Sequence, residues 1–299
     1  MNYKEILQLF SSQARIAGTD YEQDIVPLIV KTLGIERSEL HAYPEREVSE
    51  DEYKKLTMKL NRLLSDEPLE YIIGEAEFMG YRLKITPDVL IPRVETESLV
   101  QLLVADLNNQ SKDKPVNVLE VGVGSGCIAV ALKKLTPHIE YTGLEISLPA
   151  MEIAQLNLST QLGINFVTNN DKAVATEGEN QITLINSDIK DYQAAPAARP
   201  THIIANAPYI TSAEMAGLPP SVKNYEPQIA LDGGPDGLEV YKSILSYVNH
   251  LEVPASLFFE ASPSTVSKLK NAVEQLNLYR EVVILPDQFG RERFLIARQ

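Results

Sequence analysis

This 299-residue sequence has one cysteine, four histidines, and 27 lysines and arginines against 41 acidic residues. Each scarcity removes a class of function. With Cys127 alone there is no disulfide framework and no cysteine-based metal centre, and a reducing, intracellular setting is the expectation. His41, His138, His202 and His250 show neither metal-ligand spacing nor a Ser/His/Asp arrangement, so no metal site and no hydrolytic triad is expected. The net charge of −14 and pI near 4.8 argue against direct nucleic-acid binding, because such affinity leans on cationic side chains that neutralise phosphates. Long hydrophobic runs are missing too. The longest, Val121 to Leu132, contains three glycines and falls short of the roughly 20 residues that a membrane span needs. The opening MNYKEILQLF lacks the order of a secretory signal, so a cytoplasmic or organelle-matrix protein that is not membrane-bound is expected. A monomer is the separate expectation for its assembly.

What is present is organised in two parts. The first sixty-odd residues read as helices: Ile6, Leu9, Phe10, Ala14 and Ala17 share one face and end at Gly18. Ser49 to Glu52 forms a capping box ahead of Tyr53, Leu56, Leu60, Leu63 and Leu64. The expected division is a helical domain over 1–66, a linking β-hairpin over 67–87 drawn from Tyr71 to Ile85, and an α/β domain over 88–299. In the last part, strand candidates at 116–121, 141–145, 182–185, 202–205, 255–260, 281–285 and 293–297 alternate at first with helical stretches. One of these is Pro149 to Leu158. That alternation predicts a largely parallel sheet covered on both faces. Asn169 to Asn180, polar and with little periodicity, is expected to be an exposed loop.

The chemistry gathers at strand ends. Glu120-Val-Gly122-Val-Gly124-Ser-Gly126 closes a strand and opens a helix, which leaves backbone N–H groups facing a ligand. Its third glycine comes one place earlier than in a dinucleotide fingerprint. Glu120 would repel a pyrophosphate and suits an amino or sulfonium cation, the pattern of S-adenosylmethionine sites. Glu145 ends the next strand a little over twenty residues past Gly122, where a carboxylate can accept from both hydroxyls of a ribose. Asp188, after the third strand, suits an adenine amine or a simple turn. Asn206-Ala-Pro-Tyr209 follows the fourth strand. The Asn206 side-chain oxygen and the Ala207 carbonyl can both accept from one –NH2, Pro208 stiffens the turn, and Tyr209 can pack on a planar substrate. Such a turn suits methylation of a conjugated nitrogen, whether an amide or an aromatic amine.

With these residues in hand, the chain resembles the release-factor glutamine N5-methyltransferases of the HemK/PrmC type, over nearly its whole length. The resemblance rests on the helical front, Glu67 to Gly74, Val89 to Glu97, the glycine turn, Glu145-Ile-Ser147 and Asn206 to Tyr209. It extends to Tyr225-Glu-Pro227, Ala230 to Leu238 and Gly290 to Arg293. It implies a Rossmann-like class I methyltransferase sheet, mostly parallel with its last strand antiparallel. It implies S-adenosyl-L-methionine held by Gly122, Val123, Gly124, Ser125, Gly126, Glu145, Asp188, Ile189 and Asn206. Asn206, Ala207, Pro208 and Tyr209 would bind and act on the glutamine of the Gly-Gly-Gln loop of a peptide-chain release factor, and the helical domain would grip that protein elsewhere. The chain departs from the family pattern at Ala207 and Val94, where proline is usual. Glu145 and Glu120 stand where aspartate is common, and Glu260-Ala-Ser262 replaces Glu-Ile-Gly. An adenine or guanine methyltransferase acting on RNA or DNA, or a non-catalytic module that kept the fold, are the alternatives these residues leave open.

Overall fold

A computed structural model describes residues 1–16, 20–109, 116–177 and 180–299. Ala17 and Gly18, expected to end the first helix, lie outside the described residues. The chain forms two compact units, one of residues 1–75 with 219–225, the other of residues 76–218 with 226–299.

The first unit is helical: α1 (Tyr3–Ile16), α2 (Ile25–Leu33), α3 (Arg37–Ala42), α4 (Glu50–Leu63) and α5 (Leu69–Ile73). Apolar residues three and four apart turn one side of each longer helix inward, and Ile6, Phe10, Leu28, Ile29, Leu56, Leu60 and Leu63 close a shared core. The capping box at α4 forms as expected: Glu52 N–H donates to Ser49 Oγ at 3.3 Å, and Ser49 N–H donates to Glu52 Oε2 at 2.9 Å. Within the same unit, Tyr225 Oη donates to the Ser65 carbonyl at 2.6 Å.

The expected hairpin is shorter than the sequence suggests. Tyr71 to Ile73, rich in strand-favouring side chains, instead belongs to α5, bracketed by Pro68 and by Gly74 in the left-handed region. The hairpin itself is β1 (Glu75–Phe78) and β2 (Tyr81–Lys84). Its turn is fastened by Glu97, which accepts the Met79 N–H at 2.7 Å.

The second unit continues with α6 (Val94–Asn108), β3 (Asn117–Val121), α7 (Cys127–Leu135), β4 (Glu140–Glu145), α8 (Leu148–Leu162), β5 (Val167–Asn169), β6 (Lys172–Glu177), β7 (Asn180–Asn186) and β8 (His202–Ala205). Then come α9 (Pro220–Lys223, in the first unit), α10 (Glu239–Asn249), β9 (Ser256–Glu260), α11 (Val266–Gln275), β10 (Glu281–Pro286) and β11 (Glu292–Arg298). The strands make one nine-stranded sheet in the order β10-β11-β9-β8-β3-β4-β7-β6-β5. β3, β4, β7, β8 and β9 run parallel, and β11 runs antiparallel to β9 and β10. This is the expected Rossmann-like architecture, with one correction. Asn169 to Asn180 is not an open loop: β5 and β6 extend the sheet as an antiparallel edge hairpin on β7. Its inward residues are the alanines 173 and 175, too small to register as a hydrophobic alternation. Gly178 and Glu179 lie outside the described residues.

The topology brings β3 to the middle, with β4 on one side and β8 on the other. The order of connections reverses at β3, and the carboxyl ends on either side of such a point open into a crevice.

Candidate active site

A cleft opens at that place, lined by Glu120 to Ser125, Glu145 to Ser147, Ser187 to Ile189 and Asn206 to Pro208. Of the residues singled out from sequence, Gly122, Val123, Gly124, Ser125, Glu145, Asp188, Ile189, Asn206, Ala207 and Pro208 all meet on this wall. Gly126 and Tyr209 are not among the lining residues. Gly126 has φ +77°, and a side chain there would come within 3.1 Å of the Ala154 backbone, so it brings α8 against the turn. Tyr209 packs toward the core, with its hydroxyl 3.4 Å from Arg293 Nη1.

The glycine turn is held from behind. Glu145 Oε2 accepts the Gly124 N–H at 2.8 Å and Oε1 accepts the Ser147 N–H at 2.9 Å, so this carboxylate already spans the turn and the start of α8. Burial raises its pKa, against the pull of those N–H donors. Each oxygen keeps a second lone pair for a hydroxyl. Asn157, buried on α8, donates to the carbonyls of Ser125 at 2.8 Å and Lys84 at 2.9 Å, and accepts the Lys84 N–H at 2.7 Å. One amide thereby ties the turn to β2.

Glu120 is fully buried at the end of β3. Tyr141 Oη donates to its Oε2 at 2.5 Å, while Oε1 has no hydrogen-bonding partner among the described residues. Burial pushes its pKa up to about 8, opposed by the Tyr141 hydrogen bond and reinforced by Glu145. An orphaned carboxylate oxygen on the wall of a cleft that also presents Glu145 and Asp188 is suited to a cationic ligand. Burial pushes the neighbouring Cys127 thiol up to about 12, which leaves it un-ionised and unsuited to nucleophilic work.

On the facing side, Asn206 leaves β8 with its Nδ2 donating to Thr96 Oγ1 at 2.9 Å, and Thr96 Oγ1 donates to Glu260 Oε2 at 2.8 Å. Glu260 is buried at the end of β9; burial raises its pKa to about 7. Its Oε1 lies 3.7 Å from Arg293 Nη1. Tyr241 Oη, from α10, donates to the Glu260 carbonyl and lies 3.1 Å from the Ala207 carbonyl. Arg93, also on the cleft wall, pairs with Glu226 at 2.5 Å.

The family model described as "PrmC N-terminal domain" matches residues 5–74, and that described as "Methyltransferase small domain" matches residues 95–212. A release factor glutamine methyltransferase of Rhodopirellula baltica is 31% identical over 90% of this chain and 86% of its own length. One of Coxiella burnetii is 30% identical over 100% of this chain and 99% of its own. The chain belongs to the release factor glutamine methyltransferase family. The fold extends beyond that family. The catalytic domain of hMettl16, solved with a MAT2A 3′UTR hairpin, is 16% identical, covering 84% of this chain and 81% of its own with a TM-score of 0.54. Trm1 from Pyrococcus horikoshii, solved with S-adenosyl-L-methionine, is 12% identical, covering 75% and 60% with a TM-score of 0.51.

The Gly233–Gly237 segment packs against the Asn206 turn in this methyltransferase. Ile210 N–H donates to the Leu231 carbonyl at 3.1 Å and Gly233 N–H to the Ile210 carbonyl at 2.8 Å, so the segment runs backbone to backbone along the Asn206 turn. A side chain at Gly233 would come 2.5 Å from the Pro208 carbonyl oxygen. At Gly237, with φ +73°, it would come 2.5 Å from the Tyr209 carbonyl oxygen. Gly237→Ala is therefore expected to cost about 2–4 kcal/mol, combining a left-handed backbone penalty with overpacking. Turnover should fall with it as the turn is displaced. Urea unfolding and initial rates measured side by side check this; unchanged values in both would contradict the packing described.

Four contributors have no role in a reading of the sequence alone: Thr96 and Glu260, which fall in segments that carry or depart from the family pattern, and Tyr241 and Asn157. Each is an ordinary side chain until the fold carries it to the turn it supports. Among the described residues no helix is long and apolar enough to cross a membrane, and no group of three or more His, Cys, Asp or Glu could hold a metal ion.

Proposed function

We propose that this chain methylates the side-chain amide nitrogen, N5, of the glutamine in the Gly-Gly-Gln loop of a peptide-chain release factor, using S-adenosyl-L-methionine. The observation that carries the reading is the disposition of Asn206. Its Nδ2 is tied back to Thr96, which leaves Oδ1 as an acceptor on a cleft wall shared with the glycine turn. When bound, the cofactor would supply an electrophilic methyl group and retain the S–CH3 bonding pair; the amide nitrogen held by Asn206 would accept the methyl and give up one proton to water. Glu120 would hold the cofactor's amino group through its unpartnered Oε1. Gly122 and Gly124 would let the cofactor lie on bare backbone, Gly126 would only let α8 close on the turn behind it, Glu145 would take the ribose, and Asp188 and Ile189 would border the adenine.

An amide nitrogen is a weak nucleophile because its lone pair is delocalised into the carbonyl. Asn206 Oδ1 and the Ala207 carbonyl would hold its two hydrogens and favour a pyramidal nitrogen, an interaction that strengthens as the bond to carbon forms. Ala207 supplies the carbonyl that proline supplies in other members, with less rigidity in the turn. No strong base is needed, since the nitrogen grows acidic as its conjugation is lost. The helical unit would grip a second part of the release factor. Methylation of a nucleic-acid amine fits less well, given the charge of −14.

Labelled cofactor incubated with a release factor, and with the same protein carrying another residue in place of the Gly-Gly-Gln glutamine, tests the reading. Label is expected on the first and not on the second. Equal labelling of both overturns the assignment.

A further inference from the structure

A carboxamide is ambidextrous: rotating it by half a turn exchanges an acceptor for a donor with almost no change of shape. If Asn206 turned its –NH2 into the cleft it would face another –NH2, and the role just given to it would vanish. Something must fix the amide's sense, and the network behind it has the required polarity. An ionised carboxylate can only accept. Thr96, 2.8 Å from Glu260 Oε2, must then give its single proton to that carboxylate and keep lone pairs alone for Asn206, 2.9 Å away. Asn206 is left no choice but to donate through Nδ2 and present Oδ1.

We propose that Thr96 and Glu260 are positioning residues for methyl transfer, a one-way hydrogen-bond relay that sets which end of the Asn206 amide faces the substrate. The inference rests on the function proposed above. It also gives a physical reason for a threonine at position 96, on the cleft wall beside Asn206, and for a buried acid at position 260 behind it.

The relay has a built-in sensitivity. A protonated Glu260 can donate to Thr96 Oγ1, which frees the threonine proton to point at Asn206 and turns the amide over. The charged and titratable groups facing Glu260 are Arg293 on β11, Arg93 and Glu95 at the start of α6, and Tyr209, Tyr241 and Cys127. Arg293 and Arg93 favour the carboxylate, while burial, the largest influence, and Glu95 oppose it. The balance places the group near neutrality, at about 7, so turnover should fall as pH drops through that region.

Three variants test this. Thr96→Val keeps the branched shape and removes the hydroxyl. It is expected to lower kcat roughly 10–100-fold, the cost of unpairing a half-buried amide, with KM for the release factor and Kd for the cofactor within about threefold. Thr96→Ser restores the hydroxyl and should recover kcat to within about threefold of wild type. Glu260→Gln, which no longer dictates the direction of the relay, should lower kcat and abolish its acid limb. A Thr96→Val enzyme with wild-type kcat, or a Glu260→Gln enzyme that keeps the acid limb, overturns the proposal.

A readout independent of activity separates failure of the relay from failure of the functional reading. In ¹⁵N-labelled protein without ligands, the Asn206 side-chain amide signals, identified as those missing from Asn206→Ala, should move between pH 6 and 8. They should stay still over that range in Glu260→Gln. Signals that ignore pH in wild type refute the relay whatever the protein methylates; signals that titrate, in a protein that leaves glutamine unmodified, uphold the relay and refute the substrate.

Discussion

Replacing Asn206 by alanine is expected to lower kcat by roughly 10²–10³-fold, the usual consequence of deleting one preorganised group that acts mainly in the transition state. Cofactor affinity should stay within about tenfold of wild type, since Asn206 is one residue among many that line the cleft. The split between the two quantities is the informative part. Loss of a hydrogen bond equal in ground and transition states would raise KM alone, whereas the role argued for Asn206 is felt chiefly in kcat. Single-turnover rates and calorimetry on the same preparation supply both numbers. A variant with unimpaired turnover would remove Asn206 from the mechanism, and with it the reason for reading the turn as catalytic.

The second large effect concerns Glu120. Its carboxyl is pushed up to about 8 by burial, so in the ligand-free protein at pH 7 it is mainly protonated. An ammonium group brought beside Oε1 favours the ionised form and draws the proton off. Cofactor binding near pH 7 should then release a proton from this site, which calorimetry in buffers of different ionisation enthalpy detects. In Glu120→Gln that release should disappear, and affinity should fall by about tenfold or more, the loss of a charge-assisted hydrogen bond.

Stability carries the same signature, and its sign is unusual for an acid. The folded-state pKa is above the unfolded one, so Glu120 contributes its full stability below the unfolded value of 4.5 and loses it as pH rises through about 8. Relative to wild type, Glu120→Gln should gain stability between pH 5 and pH 9, at about 1.4 kcal/mol per pK unit relieved. Urea unfolding of the ligand-free proteins at the two pH values measures the difference. A gap that is constant with pH would mean that the carboxyl ionises freely in the fold.

The parallel core of the sheet is legible because its strands are short buried runs, such as His202 to Ala205, most of them separated by helices. The edge hairpin is not, because alanines 173 and 175 bury little area and the surrounding residues are polar. Tyr71 to Ile73 misleads for the opposite reason: its side chains favour strands, yet Pro68 and Gly74 allow one helical turn between them. The candidate site divides in the same way. The glycine turn, Glu145 and Asn206 are recognisable from local spacing, since the residues that cooperate are neighbours in sequence. Thr96 is 110 positions from Asn206 and 164 from Glu260, and no local pattern joins them. Their partnership exists because α6, β8 and β9 converge on one point, a product of topology and not of motif.

The most direct test is the structure of this protein with a non-transferable cofactor analogue and a Gly-Gly-Gln peptide bound together. The glutamine nitrogen should lie at hydrogen-bonding distance, about 2.8–3.1 Å, from both Asn206 Oδ1 and the Ala207 carbonyl. Its open face should be turned to the cofactor's sulfur. A glutamine amide held elsewhere, or an Asn206 side chain turned from the peptide, would contradict the account at its centre.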